Sequence, residues 1–458
     1  MHRRQMHELQ NWLQKSHRKP LVVRGARQVG KSTLIKLFAE QQSLPLAAVN
    51  LERYPDLAPA FASKDPRTIL NTLEALPRTG TIDEHSLLFL DEIQAVPDAI
   101  PALRYFYEDT PSQAVICAGS LLEYALRDHT FSMPVGRVDY LHMGPMTFTE
   151  FLQALDEPRL LATINEYESG QTINPVIHQR LLALLRHYFL VGGMPEAVSV
   201  FADTGSLQQV SDVHSSIIQT YREDFPKYIG SRSLLRMQHV FNFAARSVGK
   251  KVKYSQFSRD DASATIKTDI ELLCMARVLS KVVHSHCNGL PLQAEVDDKV
   301  YKLLFLDIGL MNAICGLNWR NLNELNEISL VNEGAIAEQF IGQHLLEMLS
   351  GSPNRDLTYW LREGRANNAE LDYVIALNGQ ILPIEVKAGA SGSLKSLHQF
   401  MGEKKAPLAV RFDLNPPSRQ TISTRIKQDG QVNDIQYELL SLPLYLVERL
   451  PALTQLGT

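Results

Sequence analysis

The chain has 458 residues and a formal net charge of −4, with 45% hydrophobic and 21% charged residues. This length predicts about three domains, and the composition excludes a disordered, collagen-like or coiled-coil protein. The four cysteines form no CxxC pair, which gives no support to a disulfide framework or a zinc ribbon. The apolar runs are far shorter than the ~20 residues of a membrane-spanning helix, and the N-terminus lacks the apolar region of a signal peptide. We therefore expect a soluble, cytoplasmic protein without a membrane partner.

Two segments are much more basic than the rest of the chain. Residues 1–36 contain nine Lys/Arg and one acidic residue, and residues 231–260 contain seven and one. A solvated surface is the usual explanation of such a charge run. Because each segment lies beside one of the motifs described below, contact with nucleic acid is the alternative.

Residues 21–40 predict a strand, a glycine loop and a helix in succession. The run at 25–32 (GARQVGKS) fits the pattern G-x-x-x-x-G-K-[ST] in the context that this pattern needs. The backbone N–H groups of such a loop surround phosphates, and the helix N-terminus favours their negative charge. We expect the lysine to contact the β- and γ-phosphates and the serine to bind Mg²⁺. The residues predicted to bind ATP are Gly25, Ala26, Arg27, Gln28, Val29, Gly30, Lys31, Ser32 and Thr33.

Two buried strands follow this loop. The run at 87–90 (LLFL) ends in Asp91 and Glu92, which places two carboxylates at the carboxyl end of a strand. Together with Ser32, Asp91 is expected to hold Mg²⁺, and Glu92 is expected to orient the attacking water. A strand at 114–120 ends in Gly119 and Ser120, and the hydroxyl of Ser120 is expected at the γ-phosphate. A simple Gly-Ser turn after the strand is the alternative for Ser120.

Buried apolar strands that alternate with helices predict an α/β fold with a parallel sheet covered on both faces. The pattern from 147 to 230 is helical and is broken by a turn at 192–195 (GGMP). Two or three helices and then β-type runs occupy 232–318. An Asn-rich stretch at 318–327 predicts a linker, and a helix at 332–350 precedes strand-rich sequence to about residue 412.

Five segments resemble those of the archaeal-type AAA+ ATPases: GARQVGKST, LLFLDEIQ, ICAGSLLE, PVGRVDYLHMGPMTFTEF and YFLVGGMPEAV. The resemblance extends over nearly the whole chain. It implies an AAA+ core at 1–150, a helical lid at 151–230, a winged helix at 231–320 and a nuclease-like domain of restriction-endonuclease fold at 330–458. It also implies that Arg137 stabilises charge on the nucleotide, for which a structural salt bridge is the alternative.

Residues 254–273 look like a helix-turn-helix. Ser263 is a suitable N-cap, and Ile266, Ile270 and Leu273 are spaced for one buried face. The β-type runs that follow would be the wing, and the second helix could enter a DNA major groove. Winged helices also serve as protein-contact modules, so DNA and a protein partner both stay open.

Residues 378–379 (Asn-Gly) predict a two-residue β-hairpin turn of type I′. In this register Asp372 lies opposite Glu385, and Glu370 lies opposite Lys387. Residues two apart on a strand share a face, so these four side chains converge on one side of the hairpin. The other side is an apolar core face.

This cluster has the residue types of a metal-dependent phosphodiesterase. Asp372 and Glu385 supply hard oxygen ligands for Mg²⁺ or Mn²⁺, and Lys387 is expected to position or deprotonate a water. Asp…Glu-x-Lys is the signature of the PD-(D/E)xK nucleases, and the AAA+ resemblance implies the same fold. In that fold a helical glutamate precedes the hairpin, a position that Glu338 matches as a further metal ligand. A salt-bridged surface hairpin and a nuclease fold without catalysis are the alternatives.

These observations predict an ATP-binding and ATP-hydrolysing AAA+ protein that acts on DNA, with Mg²⁺-dependent phosphodiester cleavage by its C-terminal domain. The alternative is a nucleotide-controlled switch or scaffold that binds a protein partner and has an inactive nuclease fold. A DNA-binding regulator is a third hypothesis. A homo-oligomer is compatible with each of them.

Overall fold

A computed structural model describes residues 2–77, 79–119, 134, 136–229, 233–317, 333–351, 357–363, 368–389, 393–428 and 431–455. The chain divides into two compact units. The first comprises Met1–Gly144 and Met275–Val278, and the second comprises Pro145–Cys274 and Leu279–Thr458. Within the described residues, every helix falls short of the length and apolar character that crossing a bilayer requires.

The first unit alternates helices and strands. In chain order it contains α1 (Gln5–Leu13), β1 (Leu21–Arg24), α2 (Lys31–Gln41), β2 (Leu46–Asn50), α3 (Ala58–Ala62), α4 (Pro66–Glu74), β3 (Leu87–Asp91), α5 (Ala99–Asp109), β4 (Ala114–Ala118) and β5 (Asp139–His142). The strands form one sheet in the order β2-β3-β4-β1-β5, and every neighbouring pair is parallel. The predicted parallel sheet is therefore confirmed.

The interior strands of this sheet are apolar except for the last residue of β1 and of β3. Every residue of β4 is buried, as are the first four of β3, which is the pattern of strands covered on both faces. Val22, Leu90 and Cys117 pack in one core cluster with Leu103 and Phe106 of α5. Because β4 lies between β1 and β3 and all three are parallel, their carboxyl ends meet at one edge. The loop after β1 and the carboxylates after β3 share that edge.

The second unit begins with a helical region and ends in a mixed α/β region. Its helices are α6 (Phe148–Ala154), α7 (Pro158–Asn165), α8 (Pro175–Val191), α9 (Pro195–Thr204), α10 (Leu207–Ile229), α11 (Leu234–Arg246), α12 (Tyr254–Phe257), α13 (Ser263–Met275), α14 (Ile308–Ile314), α15 (Glu333–Met348), α16 (Lys395–Lys404) and α17 (Leu450–Leu453). Its strands are β6 (Leu279–Ser285), β7 (Val296–Phe305), β8 (Leu357–Arg362), β9 (Ala369–Leu377), β10 (Gln380–Val386), β11 (Leu408–Asp413), β12 (Ser418–Gln428) and β13 (Gln431–Pro443).

The described strands of the second unit all belong to one mixed sheet, in the order β12-β13-β11-β10-β9-β8-β6-β7. Strands β6 and β7, the predicted wing, form an antiparallel hairpin. Strand β6 also pairs in parallel with β8, so the hairpin continues the C-terminal sheet. Leu397, Phe400 and Met401 of α16 pack on Leu371 and Leu439 of this sheet.

The GGMP turn is held by a buried carboxylate. Asp307 accepts hydrogen bonds from the backbone N of Gly193 at 2.6 Å and of Leu310 at 3.0 Å. Gly192 has a φ of +69°, and a Cβ there would lie 2.1 Å from Asp307 Oδ1. Burial raises the pKa of Asp307 to about 6, and these backbone donors oppose the shift. The turn thus requires glycine for a structural reason.

The two compact units do not separate the predicted lid, winged helix and nuclease-like domain. Apart from Met275–Val278, the segments predicted as lid, winged helix and nuclease-like domain fall within the second unit. The predicted linker at 318–327 lies in residues 318–332, which are outside the described residues. The four-part division therefore stays a prediction, as do the identities of the lid, the winged helix and the nuclease-like domain.

Candidate functional site

The phosphate loop connects β1 to α2 at one edge of the parallel sheet. Gly25 must be glycine, because a Cβ there would lie 2.1 Å from the carbonyl oxygen of Met143. Gly30 adopts a left-handed φ of +92° immediately before α2, a conformation that glycine enters without steric cost. Lys31 Nζ donates to the carbonyl oxygens of Gly25 at 3.0 Å and Ala26 at 2.8 Å. The lysine therefore lies along the inside of its own loop.

The predicted magnesium ligands of the first unit are in direct contact. Ser32 Oγ, in the first turn of α2, donates a hydrogen bond of 2.8 Å to Asp91 Oδ2 at the end of β3. Glu92 follows with a φ of +51°, and its Oε2 accepts a hydrogen bond of 2.5 Å from Gln94. A hydroxyl and a carboxylate oxygen at one edge of the sheet are the ligands that Mg²⁺ takes in phosphate-loop proteins.

Burial shifts the pKa values of Lys31 and Asp91 in this site. It lowers the pKa of Lys31 to about 8, while the carboxylates of Glu92 and Asp91 oppose the shift. Burial also raises the pKa of Asp91, against the hydrogen bond from Ser32. Burial thus disfavours the charged forms of the buried Lys31 and the half-buried Asp91, and a bound phosphate with its cation would favour them.

The predicted roles of Arg137 and Ser120 at the nucleotide are not tested by the structure. Arg137 Nε donates to Glu108 Oε1 of α5 at 2.8 Å, so the salt bridge that the sequence left open as an alternative is present. A role for Arg137 at the nucleotide stays a prediction. Ser120 lies outside the described residues, and its predicted contact with the γ-phosphate also stays a prediction.

The C-terminal hairpin has the predicted register. Asn378 and Gly379 have φ values of +51° and +74°, as a type I′ turn requires. The pairing runs from Leu377 with Gln380 to Tyr373 with Ile384. Beyond that pair, Asp372 Oδ2 accepts a hydrogen bond of 2.8 Å from the backbone N of Val386. The buried apolar face consists of Leu371, Tyr373, Ile375, Leu382, Ile384 and Val386.

The hairpin brings Asp372, Glu385 and Lys387 together as predicted, and α15 adds Glu338. Lys387 Nζ forms an ion pair with Glu385 Oε1. The other carboxylate oxygen, Glu385 Oε2, is buried and has no hydrogen-bond partner among the described residues. Tyr373 donates a hydrogen bond of 2.8 Å to the backbone oxygen of Glu338, which fixes α15 against the hairpin.

Lys302 lies in the middle of the cluster, a position that the sequence motifs did not predict. Its Nζ is 2.9 Å from Glu338 Oε1, 2.5 Å from Glu370 Oε1 and 3.9 Å from Asp372 Oδ1. The residue is 1% exposed. One sequence feature could have indicated this position: Lys302 is a lone lysine within the apolar run of β7 (VYKLLF). A lysine buried in such a strand needs acidic partners.

The carboxyl groups of the cluster are protonated more readily than ordinary ones. Burial raises the pKa of Glu338 to about 8, which Lys302 opposes, and the pKa of Glu385 to about 7, with Asp372 adding to the rise. Burial likewise raises the pKa of Asp372. Burial alone would lower the pKa of Lys302, but Glu338, Asp372 and Glu370 raise it above the ordinary value. The carboxylates around Lys302 therefore favour its charged form.

The described residues contain no set of three or more His, Cys, Asp or Glu side chains arranged for a metal ion. Of the four carboxylates, Glu338 and Glu370 lie within hydrogen-bond distance of the Lys302 ammonium group. The pair Asp372 and Glu385 remains, and the unpartnered Glu385 Oε2 is a buried oxygen that a cation would satisfy. Mg²⁺ is commonly held by one or two carboxylates, with water and phosphate oxygens completing its shell. The pair is therefore the part of the cluster whose oxygens could hold a divalent ion, and its role as a metal site stays a prediction.

The predicted helix-turn-helix segment contains two helices, α12 and α13, and Ile266, Ile270 and Leu273 of α13 are buried as expected. Part of the basic segment is neutralised within the protein, because Arg236 Nε donates to Asp269 Oδ2 at 2.6 Å. Other side chains of the segment, such as those of Lys250 and Lys253, are exposed. The exposed lysines are the ones that could contact a polyanion.

The parallel sheet, its phosphate loop and the Ser32–Asp91 contact are the features of a P-loop nucleotide-binding domain. Residues 17–152 match the family described as an AAA domain. Residues 182–321 and 333–433 match two domains of unknown function, DUF8612 and DUF4143. A comparison with curated proteins gives no match. The AAA domain match and the site geometry together support an AAA+ P-loop domain within residues 17–152.

Among solved structures, the chain is similar to the ORC2 protein of Aeropyrum pernix, at 10% identity over 70% of this chain and 95% of that chain, with a TM-score of 0.34. It is similar to the Thermotoga maritima RuvB Holliday junction branch migration motor, at 15% identity over 60% and 88%, with a TM-score of 0.28. It is also similar to C. elegans PCH-2, at 11% identity over 38% and 49%, with a TM-score of 0.23. At these TM-scores the likeness gives no basis for assigning function.

Proposed function

We propose that this protein is an ATP-hydrolysing AAA+ protein that acts on DNA, and that its C-terminal region cleaves phosphodiester bonds with the help of a divalent cation. The observation that carries the ATPase part is the contact of Ser32 with Asp91 beside the phosphate loop. That contact joins the loop and the acidic strand end, which are the two parts that hold Mg²⁺ in P-loop hydrolysis.

In the ATPase reaction, the loop backbone from Gly25 to Gly30 would bind the phosphates, and Lys31 would exchange its carbonyl partners for phosphate oxygens. Ser32 and Asp91 would hold Mg²⁺, which neutralises charge on the phosphates. Glu92 would orient the attacking water, and Gln94 fixes the Glu92 carboxylate in position. ATP and Mg²⁺ are therefore the proposed cofactors of the first unit.

The cleavage part rests on the hairpin. Asp372 and Glu385 would hold one Mg²⁺ or Mn²⁺, which activates water and stabilises charge on the phosphodiester. Lys387, paired with Glu385, would position the attacking water. Glu338 as a further ligand stays a prediction, since its carboxylate already contacts Lys302.

Contact with DNA would involve the exposed lysines before α12. Replacing Lys250 and Lys253 by glutamine should lower the magnitude of the log–log slope of DNA affinity against salt, by about 0.9 for each DNA phosphate that these side chains neutralise. Fluorescence anisotropy over a salt series measures this slope. Lys251 forms an ion pair of 2.6 Å with Glu363 and serves as the matched control. An unchanged slope in the double variant would remove these lysines from the DNA interface.

The cleavage proposal is tested with supercoiled, linear, branched and single-stranded DNA, each with and without ATP and with Mg²⁺ or Mn²⁺. Asp372→Asn keeps the side-chain shape but removes a ligand charge, so cleavage should be abolished on every substrate. Glu92→Gln should spare ATP binding, slow ATP hydrolysis, and change cleavage only where cleavage depends on ATP.

Glu438→Gln, a change of a partly exposed residue on β13, is the matched control for these variants. Cleavage that survives in Asp372→Asn would contradict the proposed nuclease site. If the wild-type protein hydrolyses ATP but cleaves none of the substrates, the nucleotide-controlled switch or scaffold becomes the better hypothesis.

A further inference from the structure

Lys302 connects the predicted winged helix and the predicted nuclease-like domain, two parts of the second unit. It belongs to β7, one strand of the predicted wing, yet its ammonium group contacts Glu338 of α15 and Glu370 of β9. Strands β6 and β8 stand between β7 and β9 in the sheet order. A backbone bridge also joins Lys302 to Lys251, next to the segment that leads into α12. The predicted wing and the carboxylate cluster are therefore one structural site.

The ammonium group of Lys302 lies among carboxylates, two of which accept its hydrogen bonds. A lysine ammonium has three hydrogen-bond donors and no acceptor, and a buried one is tolerated only when carboxylates pair with it. Two carboxylates, Glu338 and Glu370, lie within hydrogen-bond distance of Nζ. The third, Asp372, is 3.9 Å away and instead accepts a hydrogen bond from the backbone of Val386.

The four carboxylates are thus divided into two pairs. Glu338 and Glu370 are bound to Lys302, whereas Asp372 and Glu385 are not held by it at hydrogen-bond distance. Of the second pair, Glu385 is 5% exposed and has one oxygen without a partner in the described part of the chain. When all four groups are ionised, Lys302 and Lys387 neutralise two of the four charges, and one divalent ion balances the rest.

We propose that Lys302 is a fixed internal cation that occupies Glu338 and Glu370 and thereby restricts this cluster to a single divalent cation, held by Asp372 and Glu385. This inference rests on the proposed metal-dependent function of the hairpin. Lys302 is a positioning residue in this arrangement: it acts on the ion through the carboxylates that it withdraws. The β6–β7 hairpin, which carries Lys302, thereby limits how many ions the site holds.

The test is calorimetric titration of the full-length protein with Mn²⁺ in the absence of nucleotide. An Asp91→Asn background removes any contribution from the phosphate loop. We expect one Mn²⁺ for each chain and none in Asp372→Asn. Lys302→Met should release Glu338 and Glu370, so it should bind a second Mn²⁺ or bind one about tenfold more tightly. Lys302→Arg keeps the charge and should retain a single ion.

Lys302→Met leaves buried carboxylates without their cation, which endangers folding, so Glu370→Gln provides a second variant. Glu370 is the most exposed of the carboxylates that contact Lys302. Without it, Lys302 should turn toward Asp372 and weaken Mn²⁺ binding about tenfold at unchanged stoichiometry. Circular dichroism and thermal melting identify the variants that are folded.

The two hypotheses fail in different ways. If the wild-type protein shows no Mn²⁺ binding that depends on Asp372, the proposed metal site is wrong, and the role of Lys302 is wrong with it. If binding depends on Asp372 but a folded Lys302→Met has wild-type stoichiometry and affinity, the metal site stands and the role of Lys302 is wrong. Unchanged affinity in Glu370→Gln would likewise contradict the role of Lys302.

Discussion

Replacing Lys31 by alanine should weaken ATP binding by about 2–3 kcal/mol, roughly 30- to 150-fold, because the variant lacks a charged hydrogen-bond donor to the phosphates. Hydrolysis should fall at least as much, since the lysine also stabilises charge in the transition state. The loop loses the two hydrogen bonds that Lys31 donates to its carbonyl groups, but the close approach of Gly25 to Met143 and the left-handed φ of Gly30 should keep its conformation. Titration with a fluorescent ATP analogue and a phosphate-release assay measure the two effects.

The pKa of Lys31 gives this prediction a second readout. In the nucleotide-free protein that pKa is lowered to about 8, so the lysine loses its proton as the pH rises through 8. Binding to phosphates requires the charged form, and ATP affinity should therefore fall above pH 8 by up to about tenfold for each pH unit. Lys31→Ala should lack this pH dependence. Wild-type affinity in the alanine variant, or a flat profile in the wild type, would contradict the assignment of the phosphate loop.

Replacing Glu385 by glutamine should abolish divalent-cation-dependent cleavage and also change how stability depends on pH. The substitution keeps the size of the side chain but removes the carboxylate that carries the unpartnered oxygen. Because the pKa of Glu385 is raised to about 7 in the folded protein, the folded state holds this proton more tightly than the unfolded state. The stability that this group contributes is therefore complete below its unfolded pKa of about 4.5 and disappears as the pH rises through 7.

Chemical unfolding at pH 5 and pH 8 measures this effect. Between these values the wild type should lose up to about 3 kcal/mol of unfolding free energy through Glu385, and Glu385→Gln should not lose that part. Glu438→Gln, on the surface of β13, should behave as the wild type. The assignment would be wrong if Glu385→Gln kept cleavage at the wild-type rate. An unchanged pH profile would show that Glu385 is not a protonated buried group.

Local sequence patterns determined the phosphate loop and the hairpin turn. The phosphate loop requires glycine at 25 and 30, because one position is in contact with Met143 and the other has a left-handed φ. The Asn-Gly pair likewise sets the hairpin turn and, through the two-residue period of a strand, the face on which Asp372 and Glu385 lie. Such features depend on backbone conformations within a few residues, which side-chain type alone can specify.

Only the tertiary structure decided which distant charges meet. Arg137 pairs with Glu108, 29 positions away along the chain. Lys302 pairs with Glu338, 36 positions away, and with the still more distant Glu370. The contacts of Lys302 depend on the order of strands in the sheet, in which β6 and β7 pair beside β8. A strand can pair with any partner that buries its apolar face, so its own pattern does not specify its neighbour. The pairing of β6 with β8 brings Lys302 of the predicted wing into the carboxylate cluster.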